Sequence, residues 1–160
     1  NDWRFDNVIL DPQQPTQVIG VLDWEMATLG DPLMDLGSAL AYWIQEDDDA
    51  LMKSSRRQPT NLKGMLTRQQ VVDYYLEKTG LQPTNWAFYE VFGLFRLAVI
   101  AQQIYYRYYH QQTDNPAFKD FWILIHALHI RALKLIAQNN PQARPLIAEY
   151  AAKLQDILKR

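Results

Sequence analysis

Two short β-rich runs, Val8–Leu10 and residues 17–22, stand near the start of a chain whose remaining periodicity is helical. They limit it to a mainly α fold with one small β-hairpin. Asp11-Pro12-Gln13-Gln14-Pro15-Thr16 lies between them and is rich in turn formers, as a hairpin connection requires. Asp31-Pro32 supplies an N-cap followed by proline at the first helical position. A helix is therefore predicted over about residues 32–43, with Leu33, Leu36, Leu40 and Trp43 on one face. Thr67-Arg68-Gln69-Gln70 has the form of a capping box, and Gly80 sits where a C-terminal cap belongs. Later helices are predicted over about residues 84–110, 117–137 and 145–158. Residues 45–66, with the acidic run Glu46-Asp47-Asp48-Asp49 and a basic run over 53–57, read as a solvated surface loop. Trp3, Trp24 and Trp43 are expected in the core.

With 160 residues the chain is one ordinary domain, and 48% hydrophobic against 21% charged residues is the balance of a folded protein. A net charge of −2 argues against a nucleic-acid partner. There is no cysteine, which excludes disulfides and thiolate metal sites. The longest apolar stretch, residues 91–101, is interrupted by Arg96 and is too short to span a bilayer, so no membrane partner is expected. Nothing in the sequence points to secretion, and the expected location is cytoplasmic.

The polar residues of the first segment are spaced for chemistry. Asp2 and Asn7 stand five residues apart, Asn7 runs directly into the first apolar strand, and Asp23 ends the second. A hairpin brings Asp23 beside Asn7, which gives a hard cation the oxygen ligands it prefers. Two polar loop residues alone are usually turn formers; three, ordered around a hairpin, fit a phosphoryl-transfer site.

The run Asn1-Asp2-Trp3-Arg4-Phe5-Asp6-Asn7 resembles the catalytic loop of the aminoglycoside phosphotransferase and choline kinase superfamily. Leu22-Asp23-Trp24-Glu25 and Gly30-Asp31-Pro32-Leu33-Met34-Asp35-Leu36-Gly37 are similar to the two segments that follow in that group. Phe92-Gly93-Leu94-Phe95-Arg96-Leu97-Ala98 is similar to the branch related to acyl-CoA dehydrogenase fusion proteins. The resemblance implies a protein-kinase-like C-terminal lobe with its N-terminal lobe absent, so that the chain reads as a fragment. It divides into residues 1–44 (catalytic loop, metal hairpin and helix), 45–66 (surface loop) and 67–160 (helical substrate subdomain).

The same resemblance implies roles. Asp2 would be the catalytic base, and Asn7 and Asp23 the Mg²⁺ ligands. Arg4 would neutralise the transferred phosphate of ATP, and Asp35 would hold the catalytic loop backbone. Glu25 and Arg96 are candidates for substrate contact. Arg96, flanked by apolar residues, either pairs with a carboxylate or binds an anionic group in the cleft. Glu46–Asp49 would suit a cationic substrate instead. Asp31 reads as a cap and Asp6 as a loop acceptor. His126 and His129 share a helix face without an apparent third metal ligand.

The implied activity is ATP-dependent phosphorylation of a hydroxyl on a small molecule. No glycine-rich loop or strand-borne lysine appears in this sequence, so the fragment alone is expected to be inactive. An apolar surface is expected around Trp3, Phe5 and the hairpin, where the missing N-terminal lobe would pack or a homodimer would form. The rival readings are a non-catalytic helical binding or scaffold module that keeps the fold, and a metal-dependent phosphohydrolase using the same three residues.

Overall fold

The computed structural model describes residues 1–158. It is mainly helical with one two-stranded sheet, as the sequence pattern requires. The chain divides into two compact units, Asn1–Gly93 and Leu94–Arg160.

In the first unit, strands β1 (Val8–Leu10) and β2 (Val18–Val21) pair antiparallel, with Val8 opposite Val21, Ile9 opposite Gly20 and Leu10 opposite Val18. The jump past Ile19 is a bulge, which absorbs one extra residue in β2. The Asp11 carboxylate nucleates the turn by accepting from Gln13 N (2.7 Å) and Gln14 N (3.1 Å). Most of the hairpin's side chains stay exposed, among them Ile9, Leu10, Val18, Ile19 and Leu22, together with Trp3 and Phe5 of the preceding loop.

Helix α1 (Pro32–Ala41) starts at the expected cap, where Asp31 Oδ1 accepts from Leu33 N at 2.9 Å. Its buried face is the predicted one only in part, at Leu33 and Leu40. Leu33, Gly37, Ser38, Leu40 and Ala41 are buried, whereas Leu36 and Trp43 are only partly covered. The reason is a close helix crossing. A Cβ on Gly37 would overlap the carbonyl of Tyr89, and a Cβ on Gly93 would overlap the carbonyl of Gly37. Two glycines let α1 and the start of α4 (Trp86–Tyr109) touch backbone to backbone. Tyr89 reinforces the crossing by donating its hydroxyl to Asp31 Oδ2 at 2.8 Å.

Residues 45–66 depart from the solvated loop read in the sequence. They contain a short helix, α2 (Ala50–Ser54), capped by Asp49, whose carboxylate accepts from Met52 N at 2.9 Å. Asp48 makes a two-pronged pair with Arg68 at 2.6 and 2.9 Å, and both side chains are largely covered. Thr60 is buried and exchanges two hydrogen bonds with the backbone of Ile44. The acidic run is thus committed to local folding, because a largely covered carboxylate must find donors. Glu46 alone of the four stays exposed without such a task. Helix α3 (Arg68–Thr79) begins with the full capping box between Thr67 and Gln70 and ends on Gly80 at φ 72°.

In the second unit, α4 continues to Tyr109, and α5 (Phe121–Asn139) and α6 (Arg144–Leu158) follow and pack on each other. Helix α5 starts later than predicted because Asn115 caps a separate 3-10 turn, Pro116–Phe118. His126 and His129 lie on α5, and His129 Nδ1 is 3.4 Å from the Tyr150 hydroxyl. By length and composition α4 is long enough and apolar enough to cross a membrane, a length the narrower window of residues 91–101 did not reach. Its Gly93, Leu94 and Ala101 are buried within the protein.

Helix propensity alone favours Gly37→Ala by about 1 kcal/mol, whereas the backbone overlap opposes it. Gly37→Ala and Gly93→Ala are each expected to lower stability by about 3 kcal/mol, as measured by urea unfolding. In the acidic run, Asp48→Ala should cost about 3 kcal/mol. Glu46→Ala should stay within about 0.5 kcal/mol of the parent.

Candidate active site

The loop before β1 is organised by one side chain. Arg4 is extended (φ −147°, ψ 159°), and the chain then tightens into a 3-10 turn, Phe5–Asn7, closed by Asn7 N on Arg4 O at 3.0 Å. Asn7 is buried at 7% exposure. Its amide nitrogen donates to the backbone oxygen of Asp2 at 2.8 Å and to Asp2 Oδ2 at 3.2 Å. That commitment leaves the Asn7 side-chain oxygen as the atom able to take a cation.

Asn7 also ties the loop to the hairpin. Its backbone oxygen accepts from Leu22 N at 2.8 Å, one step beyond the Val8–Val21 pair. Asp23 follows immediately, so the strand ladder sets Asn7 and Asp23 at the same end of the hairpin. Asp23 adopts a left-handed conformation (φ 63°, ψ 50°), which Asp tolerates better than most residues. The chain reverses there into the turn Trp24–Met26.

Three carboxyl groups act on one another at this end. The Glu25 carboxyl is pushed above the ordinary range, first by its hydrogen bond with Asp23, then by the Asp23 charge, by burial and by the Asp2 charge. Among the described residues no cation pairs with Asp23 or Glu25. Clustered carboxylates beside a free amide oxygen are a donor set for a hard divalent ion. Among the described residues no three His, Asp or Glu side chains form a complete metal cage. Such a set suits an ion that takes further ligands from phosphate and water.

Arg4 meets the same Asp2 oxygen that Asn7 holds. Its guanidinium is 3.2 Å from Asp2 Oδ2 and 5.4 Å from the centroid of the Tyr42 ring. Asp6 approaches Arg4 Nε only to 3.6 Å, beyond hydrogen-bond range. At its start, Asp35 Oδ1 of α1 lies 2.9 Å from the backbone nitrogen of Asn1. The Asn1 side chain donates to Met26 O at 2.9 Å and to Thr28 Oγ1 at 2.7 Å, which ties the loop after Asp23 to the same point.

Asp2, Arg4 and Asn7 are therefore joined within one loop, and the hairpin adds Asp23 and Glu25 to them. Arg96 belongs to the second unit, where it is half-buried on α4. Trp24 is mostly exposed, its ring nitrogen bonded to Val21 O at 2.7 Å, and Trp3 is half exposed. Neither is the core residue the sequence suggested: Trp24 opens a turn and Trp3 lies in the irregular segment before β1. Three supporting residues escape a reading of the sequence: Asn1, Tyr42 and Gln58. Buried Gln58 accepts from Phe5 N at 2.9 Å, yet it stands in the charged stretch that reads as a loop and carries no local signal.

Residues 1–66, which hold this site, match the model of the phosphotransferase enzyme family. That segment belongs to the phosphotransferase enzyme family. The match to the phosphotransferases covers the loop, the hairpin, α1 and α2 and ends before α3. Among curated relatives, acyl-CoA dehydrogenase family member 10 of Mus musculus is 38% identical over 108 residues, which is 66% of this chain and 10% of that protein. A probable acyl-CoA dehydrogenase of Arabidopsis thaliana is 34% identical over 111 residues, 67% of this chain and 13% of that protein. Acyl-CoA dehydrogenase family member 11 of Gallus gallus is 28% identical over 139 residues, 84% of this chain and 18% of that protein. The chain thus spans less than a fifth of the length of these relatives, and they bear out the branch suggested by residues 92–98. No solved structure matches.

The Glu25 shift has a consequence for stability. A carboxyl whose folded value is raised favours the folded state at low pH, and that contribution is lost as pH rises through the folded value. The protein without divalent ions is expected to lose a little thermal stability as pH rises from about 4 to 7. Glu25→Gln should flatten that part of the profile, as read by scanning calorimetry across the range.

Proposed function

We propose that this chain is the C-terminal catalytic lobe of a kinase that transfers the γ-phosphate of ATP to a hydroxyl on a small molecule. The observation that carries the reading is the Asn7 amide bonded to Asp2 while the Asn7 backbone pairs with Leu22, which joins base and metal-ligand positions in one framework. Residues 1–66 fall in a phosphotransferase family, which supports the reaction class.

In this reading the acceptor hydroxyl loses its proton to Asp2 as its oxygen bonds to the γ-phosphorus, and the bond to the leaving ADP oxygen breaks. Asn7 orients Asp2 by holding one carboxylate oxygen and the loop backbone. Asn7 Oδ1 and the Asp23 carboxylate would hold Mg²⁺, which when bound offsets the charge on the phosphates. Arg4, already beside Asp2, adds positive charge at the transferred group. The bond to Asp23 raises the affinity of Glu25 for its proton, and a bound cation would oppose that effect.

Kinases take the glycine-rich loop and the phosphate-gripping lysine from an N-terminal lobe. This sequence contains neither, so the 160-residue chain is not expected to turn over ATP by itself. The exposed apolar residues of the hairpin suit a packing surface for such a lobe.

In the full-length protein, Asp2→Asn should lower kcat by about 10²- to 10⁴-fold with nucleotide binding retained, since shape is kept and the proton acceptor lost. Asp23→Ala should weaken Mg-ATP binding as well, measured by calorimetry beside turnover. Equal, mild effects of both changes would contradict the assigned roles.

A further inference from the structure

Charge is divided unequally between the two units. Residues 1–93 hold fourteen Asp and Glu against seven Lys and Arg, whereas residues 94–160 hold nine Lys and Arg against four Asp and Glu. The formal charge of −2 therefore hides a basic second unit. Much of its excess lies on and between α4 and α5. From Leu94 to Asn139 the acids are Asp114 and Asp120, both in the connection between those helices, and the bases are Arg96, Arg107, Lys119, Arg131 and Lys134. A charge asymmetry of this kind between two parts of a chain points to an anionic partner for the basic part.

An apolar stripe runs through the same region. With 3.6 residues per turn, Phe95, Val99, Gln102, Tyr106 and Tyr109 of α4 fall within about 80° of arc, over a length of about 21 Å. All five are exposed, Phe95 at 63% and Tyr109 at 70%. A different face of the helix is packed, with Leu94 and Ala101 buried. Arg96, Gln103 and Arg107 recur at helical spacing along one border of the stripe, so that border is basic. Arg107 is exposed and Arg96 half-buried. No acid stands on the helix after Glu90. Phenylalanine and valine hold the first half of the stripe and tyrosine the second, where Tyr106 and Tyr109 keep a polar tip on an apolar ring.

We propose that this face of α4 docks the second unit on an anionic lipid surface. Phe95, Val99, Tyr106 and Tyr109 enter the boundary between headgroups and acyl chains, and Arg107 meets lipid phosphate at their edge. Leu94 and Ala101 are buried in the protein, so the helix lies along the surface and does not cross it. The expectation of no membrane partner concerned a span; a helix in the interface needs only one apolar face. The charge and the stripe together select this occupant. A second copy of the chain would set one basic unit against another, which repels. A nucleic-acid strand needs cations along the middle of its contact, where this stripe has phenylalanine and valine. An acidic leaflet offers an apolar layer and negative charge at once. The inference is independent of the phosphoryl-transfer reading, and its test involves no reaction.

The test is co-sedimentation of the 160-residue chain with two kinds of vesicle, phosphatidylcholine alone and phosphatidylcholine with phosphatidylserine at about one part in three. The chain is expected to pellet with the second and to stay in solution with the first, and its binding should weaken as salt is raised. Phe95→Ser combined with Tyr106→Ser should weaken binding at least tenfold with the unfolding temperature kept, since both side chains are exposed. Arg107→Glu should weaken it as well at low salt. Arg56→Glu with Arg57→Glu, in the exposed basic run of the first unit, is the control and should leave binding unchanged. If the double serine variant does not fold, Arg107→Glu and the control decide. No pelleting with phosphatidylserine vesicles, or equal pelleting with neutral ones, would overturn the proposal. So would binding lost in the Arg56 and Arg57 variant but kept in the α4 variants. A dimer that the serine variant splits, with no vesicle binding, would assign the face to a second copy instead. Binding by this chain but not by the full-length protein would show the face covered there, and the proposal would fall.

Discussion

The side-chain amide of Asn7 is the contact on which the rest of the site depends. It is buried, and it gives both of its hydrogen bonds to Asp2, one to the backbone and one to the carboxylate. The backbone oxygen of the same residue accepts from Leu22 N, at the mouth of the hairpin. One residue therefore fixes the loop that carries Asp2, the start of β1 and the approach of Asp23. A buried amide stripped of such partners costs about 1–3 kcal/mol. Few other side chains could replace it, because Asp lacks the donor and Gln would lengthen the span.

Around that contact the charges are arranged unevenly. Asp2 has Arg4 on one side, held in turn against the Tyr42 ring. Asp23 and Glu25 have each other and no cation among the described residues, and Glu25 holds its proton more tightly as a result. One half of the site is internally neutral and the other is short of positive charge. A divalent ion carried in with a nucleotide phosphate would correct the second half without disturbing the first.

The scaffold that presents this loop relies on close approach more than on bulk. Gly37 and Gly93 let two helices meet at backbone distance, and Tyr89 closes the crossing onto the cap of α1. Asp35, on the first turns of the same helix, then reaches the backbone of Asn1. Residues 45–66 complete the framework, since Gln58 pins Phe5 while Thr60 and Asp48 pin the stretch itself.

Much of this was determined by sequence alone, where the deciding interaction is local. The hairpin, the cap at Asp31, the capping box at Thr67 and the left-handed Gly80 each depend on residues within a few positions, so their composition states them. The spacing of Asp2, Asn7 and Asp23 belongs to the same class, because one loop and one hairpin relate all three. Other features were decided only by the tertiary structure. The buried face of α1 turned towards Gly37 because of a partner 56 positions later, which no periodicity within the helix can register. The acidic run became a set of caps and a paired Asp48 because Arg68 lies 20 residues away. Gln58 and Tyr42 have no signature at all, since each acts only where distant segments close on the Asp2 loop. Short-range hydrogen bonding writes itself into a sequence; burial and charge pairing across segments depend on which surfaces meet.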